Sequence, residues 1–67
     1  MDAGQKLRRF RDERGISQQK VADGIGTTRL AISRWERGVF KPNAPSLVKL
    51  AAFMECSVDE LIREVTE

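Results

Sequence analysis

Histidine and tyrosine are absent from this chain, cysteine and tryptophan occur once each, and only two residues are proline. Each scarcity excludes something. With Cys56 alone there is no intramolecular disulfide, and a reducing, cytoplasmic setting is the expectation. A single thiol without imidazole cannot build a tetrahedral metal site, so neither metal nor cofactor is expected. The lack of histidine and tyrosine, of a phosphate-cradling glycine loop and of a recognisable acid pair argues against an enzyme. No apolar run approaches the ~20 residues of a membrane span, no signal-peptide pattern opens the chain, and no small-molecule ligand is suggested.

The 67 residues are enough for one domain, taken as residues 1–67, with one core. A chain of this size buries only about 60% of its unfolded surface. With disulfide and metal set aside, pairing with a second copy is the remaining route to added stability. The net charge of +2 conceals an uneven distribution. Residues 1–20 hold six cations and three carboxylates, residues 21–43 four against two, and residues 44–67 two against five. A chain that is basic for two thirds and acidic at its end suits a domain presenting one face to a polyanion, although solvated charge gives the same pattern.

Glycine and proline divide the sequence into short segments of helical periodicity, with no strand-like alternation. A first helix runs from about Ala3 to Arg14, capped by Asp2 with Gln5 three residues on and stopped at Gly15. A second starts after Ser17 and ends near Ile25, with Val21, Ala22 and Ile25 on one face. A third begins at Thr28, buries Ile32 and Trp35, and stops at Gly38. Asn43 caps a fourth, whose stripe is Leu47, Leu50, Ala51 and Met54 with Phe53 beside it. Ser57 and Glu60 form a capping box for a fifth, burying some of Val58, Leu61, Ile62 and Val65. The expected fold is all-α.

The informative stretch is QQKVADGIGTTRLAISRWER, Gln18 to Arg37. Two helices cross steeply only where a small residue sits at the crossing, and Ala22 is placed for that. Gly26 permits a sharp reversal without a Cβ penalty. Val21 and Ile25 on one helix, and Ile32 and Trp35 on the other, supply inward anchors. Together these positions predict a helix-turn-helix over residues 18–37.

On LRRFRDERGISQ (7–18), VADGIG (21–26), AISRWERG (31–38) and LVKLAAFMECSVDELI (47–62), the chain resembles the Cro/repressor-type, or xenobiotic-response-element, helix-turn-helix regulators. The resemblance implies a compact five-helix bundle of the lambda-repressor-like DNA-binding type, two-fold homodimers and pseudo-palindromic double-stranded operators. It also implies a phosphate-binding glutamine at Gln18 and a partly buried ion pair between Arg11 and Glu36. Thr27 departs from the apolar residue usual there, and Gly24 inside a helix costs about 1 kcal/mol relative to alanine.

With Ile32 and Trp35 facing the core, Arg29, Leu30, Ser33, Arg34 and Arg37 face outward, and Thr28 lies at the tip. A recognition helix enters the major groove N-terminal end first, which makes Thr28, Arg29, Leu30, Ser33 and Arg34 the candidate base contacts. Arg29 suits guanine O6 and N7, with a phosphate as the alternative; Leu30 suits a thymine methyl or is a plain surface leucine. Gln18, Thr27, Arg37, Lys41 and Asn43 are the candidate backbone contacts, Asn43 equally serving as a cap. Lys6, Arg8, Arg9 and Arg14 are expected in solvent, and Cys56 buried. Phe53, Val58, Ile62 and Val65, with the loop pair Val39 and Phe40, are candidates for a dimer surface. The function expected is a sequence-specific transcriptional regulator, a repressor by occupancy; a protein-binding adaptor on the same fold and an antitoxin-type autorepressor are the alternatives.

Overall fold

The computed structural model describes residues 1–63, which places Val65 outside the described residues. Five helices follow one another: α1 (Ala3–Arg14), α2 (Gln18–Ile25), α3 (Arg29–Glu36), α4 (Ala44–Phe53) and α5 (Val58–Ile62). No strand occurs among the described residues, so the protein is all-α as its periodicity predicts. Every helix starts at a side chain able to close the first turn. Asp2, Ser17, Thr28, Asn43 and Ser57 each accept from the backbone N–H three residues on, at 2.9–3.1 Å. At Asp2 and Ser57 the exchange is reciprocal, because Gln5 and Glu60 accept from the cap residue's own N–H. α3 ends at Glu36, two residues before Gly38. Its final turn is closed by Gly38 N–H donating to Trp35 and Val39 N–H to Arg34, at 3.1 and 3.0 Å.

Helices of five to twelve residues are marginal alone in water, so tertiary packing holds them. The buried apolar set is Leu7 from α1, Val21, Ala22 and Ile25 from α2, Ile32 and Trp35 from α3, Leu50 and Ala51 from α4, and Leu61 from α5. One residue set from all five helices therefore makes a single core. α3 lies against α1 and α2, α4 covers α2, and α5 closes the bundle against α4 and α1.

Two glycines make room for close neighbours, a backbone at one and an aromatic ring at the other. A Cβ on Gly4, which is buried in α1, would collide with the Trp35 carbonyl of α3. Gly24 has a packing reason that a propensity scale misses: a Cβ there would stand 2.5 Å from Cε2 of Phe53. The Phe53 ring occupies that space and meets Phe10 edge-on, with centroids 6.1 Å apart and planes at 66°.

Several sequence-based expectations change with packing. Lys6 is not simply solvated; its ammonium donates to the carbonyls of Glu60 and Arg63, closing the end of α5. Arg14 stays exposed as expected, with its guanidinium over the Phe10 ring, 3.9 Å from the centroid. Cys56 is half-buried rather than buried. Phe53 and Val58 are half-buried against this chain's own core, and of the apolar residues first considered for a dimer surface Ile62, Val39 and Phe40 stay exposed, at 51%, 56% and 56%.

Candidate nucleic-acid interface

α2 and α3 pack on each other more extensively than any other pair of helices. Ala22 is completely buried between them, and Gly26 makes the reversal at φ 74°, ψ 39° in the left-handed region. Thr27 N–H donates to the Ala22 carbonyl at 2.9 Å and locks the turn. Val21, Ile25, Ile32 and Trp35 all point into the core. With the inner sides so fixed, the outer side of α3 is determined by its 3.6-residue period.

That outer side carries Thr28, Arg29, Leu30, Arg34 and Arg37, all exposed, and half-buried Ser33. Leu30 shows 53% of its surface, more than a core function explains. The Thr28 hydroxyl already accepts from Ala31 N–H at 3.1 Å, which leaves its own O–H free to donate. Arg37 leans back along the helix, its Nε 3.4 Å from the Ser33 carbonyl oxygen. The Arg34 side chain makes no hydrogen bond or ion pair among the described residues, and its guanidinium carbon lies 5.3 Å from the centroid of Phe40.

Glu36 is the one carboxylate within α3, and it points inward. Arg11 clamps it with two charge-assisted hydrogen bonds, Nε to Oε2 at 2.6 Å and Nη2 to Oε1 at 2.7 Å. Arg11 also donates to the Ile16 carbonyl at 3.1 Å. These bonds hold the guanidinium above its ordinary pKa range, with burial acting the other way. Gln18, the first residue of α2, donates its amide to Glu36 Oε1 at 3.2 Å. One buried carboxylate thus ties together the start of α2, the end of α3 and the last turn of α1. Its negative charge is neutralised in place.

Arg11, Ser17, Gln18, Gln19 and Arg29 line one shallow, open concavity, so the start of α2 and the start of α3 share a surface. Thr27 is half-buried in the turn between them. Lys41 and Asn43 follow α3 on the loop into α4, both exposed. Asn43 caps α4 through its Oδ1, 3.0 Å from Ser46 N, with its amide N–H groups left over. Elsewhere on the surface Arg9 pairs with Glu13 at 3.1 Å and Arg63 with Asp59 at 2.6 Å, while Arg8 and Arg14 form no ion pair among the described residues. Arg29, Arg34, Arg37 and Lys41 form no ion pair among the described residues. The stacking of Phe40 against Arg34 and the link from Gln18 to Glu36 carry no local sequence signal. Among the described residues no group of three His, Cys, Asp or Glu side chains could hold a metal ion, and no helix is long and apolar enough to cross a membrane.

Two short helices crossing over a buried alanine, joined by a left-handed glycine, with the second helix presenting an arginine-bearing outer face, define a helix-turn-helix domain. The chain belongs to the helix-turn-helix family of the Cro/C1 type, which residues 7–61 match. It is 34% identical over 62 residues to the HTH-type transcriptional activator BcrR of Enterococcus faecalis, covering 92% of this chain and 30% of BcrR. To repressor protein C2 of Salmonella phage P22 it is 33% identical over 60 residues, covering 90% of this chain and 28% of C2. The chain therefore spans about a third of the length of these two curated relatives. The crystal structure of the P22 c2 repressor in complex with synthetic operator 9T superposes with a TM-score of 0.87 at 32% identity, over 94% of this chain and 96% of that one.

Proposed function

We propose that this chain binds double-stranded DNA sequence-specifically and regulates transcription, with α3 lying in the major groove. The observation that carries the reading is the uncompensated positive charge on the outer face of α3. The outer face of α3 holds Arg29, Arg34 and Arg37 in solvent with no ion pair among the described residues, while the one carboxylate of the helix turns inward onto Arg11. Such a face is complementary to a polyanion. The likeness to a repressor solved on its operator supports the same reading.

Within it, Thr28, Arg29, Leu30, Ser33 and Arg34 read base edges. Arg29 offers the two-pronged donor set that matches guanine O6 and N7, and Leu30 packs on a thymine methyl. Gln18, Thr27, Arg37, Lys41 and Asn43 seat the domain on phosphates, assisted by the N–H groups at the start of α2. The Arg11–Glu36 pair is structural. The role is binding rather than catalysis, the setting cytoplasmic, and residues 1–67 act as one module.

A module this small makes few contacts, so two copies on a pseudo-palindromic operator, with recognition helices about 34 Å apart, supply the remaining affinity. Ile62 and Val39, exposed at 51% and 56%, are the apolar residues offered to that pairing. Regulation follows from occupancy, by repression. Selection of binding sites from random duplexes tests the proposal: enriched inverted repeats that disappear with Arg29→Ala support it. Binding indifferent to sequence, or none at low salt, would favour a protein-binding adaptor instead.

A further inference from the structure

The geometry points to Phe40 as a positioning residue that holds Arg34 ready for DNA. This rests on the reading of Arg34 as a DNA contact. The chain leaving α3 folds back on the helix, with Val39 N–H and Phe40 N–H both directed at the Arg34 carbonyl, at 3.0 and 3.4 Å. That return sets the Phe40 ring beside the guanidinium of the same arginine, 5.3 Å from ring centroid to guanidinium carbon. The separation lies within reach of a cation–π attraction.

Phe40 is 56% exposed, so burial in the core does not explain a phenyl ring here. What the ring does provide is a face for positive charge that takes up none of the N–H groups. Arg11 shows the contrast: its donors are directed at Glu36 and Ile16. Arg34 is restrained while all five of its donors remain free for a base edge or a phosphate. A long arginine side chain otherwise loses much rotamer freedom on binding, and restraint beforehand lessens that loss. Phe40 is followed at once by Lys41, so one loop both restrains Arg34 and presents a further cation.

Binding of full-length wild type, Phe40→Leu, Phe40→Tyr, Arg34→Ala and the Arg34→Ala/Phe40→Leu double variant to a selected duplex tests this, with sedimentation of each free protein alongside. Phe40→Leu should weaken binding about two- to five-fold, the range of an exposed cation–π contact. It should relax preference at the same base pairs as Arg34→Ala, or lower the same part of the salt dependence, and leave sedimentation unchanged. Phe40→Tyr, which keeps the π face, should restore binding. Added to Arg34→Ala, Phe40→Leu should do nothing more. Wild-type binding by Phe40→Leu overturns the proposal, as does a loss that persists undiminished without Arg34, since Phe40 would then act on its own or through dimerisation. Wild-type binding by Arg34→Ala is a separate failure, seen with Phe40 untouched, which removes the reading of Arg34 and this inference with it.

Discussion

The Glu36 carboxylate is held by Arg11 at 2.6 and 2.7 Å in a site where 3% of the glutamate side chain and 14% of the arginine side chain reach solvent. This pair lies at the back of α3, directly behind the exposed arginines, and it also receives the Gln18 amide at 3.2 Å. Its effect is two-fold. The start of α2 and the end of α3 are fixed to one another, and the one acid on α3 presents no net charge to the face that carries Arg29, Arg34 and Arg37.

Removing one partner leaves a buried charge without compensation. Arg11→Ala should therefore lower stability by about 3–5 kcal/mol, a large part of what a domain of this size has. Arg11→Met combined with Glu36→Leu, which removes both charges and keeps apolar volume, should recover most of the loss. Urea unfolding followed by circular dichroism measures both. A double variant as unstable as Arg11→Ala would show that the pair does more than neutralise itself.

Gly4→Ala sets two magnitudes against each other. Alanine gains about 1 kcal/mol in helix propensity. The new methyl meets the Trp35 carbonyl, which is backbone and cannot rotate away, so α1 must shift from α3. A net loss of about 1–3 kcal/mol is expected from overpacking. Gly24→Ala meets a Phe53 ring edge instead, which can swing, and should cost less. Thermal melts of the two variants give the order directly.

Arg29 distinguishes base reading from phosphate seating. Arg29→Lys keeps the charge but loses the planar fork, so the salt dependence should hold while preference at one base pair falls by about 1–3 kcal/mol. Binding of matched and single-mismatch duplexes across a range of salt concentrations reads both quantities. If lysine preserves the preference, Arg29 contacts a phosphate.

Burial, reinforced by Glu60, pushes the Cys56 thiol above its usual range, with Lys6 opposing. The folded protein therefore favours the protonated thiol, which is the poor nucleophile. At pH 8, iodoacetamide should modify Cys56 more slowly in the native protein than in urea. The sign for stability follows: it is unaffected by this group below the unfolded thiol pKa, about 8.5, and declines as pH rises above it. Cys56→Ser should remove that decline.

The helix starts were legible because capping is local. Asp2, Ser17, Thr28, Asn43 and Ser57 each bond within three residues, so the sequence around each is the whole of the interaction. The inward sides of α2 and α3 followed from period alone, and once Ile32 and Trp35 were inside, the outward position of Arg29 and Arg34 was geometry. The end of α3 was less legible, because Gly38 marks the left-handed turn and not the last helical residue.

What only the tertiary structure decided joins residues distant in the chain or folded back at a loop. Gly4 matters because Trp35 crosses it, Gly24 because Phe53 lies on it, and Lys6 because α5 ends beside it. Phe53 and Val58 looked equally available to a partner in the sequence, and packing draws both toward their own core. Phe40 and Arg34 are close in sequence, yet their contact depends on how the loop returns along α3. Periodicity and capping are properties of a few neighbouring residues, so the amino-acid sequence alone determined the helices and the side of α3 that faces out. Which side chains on that surface are free, restrained or neutralised depends on what the rest of the chain brings beside them, and that was settled only by the packing of the five helices.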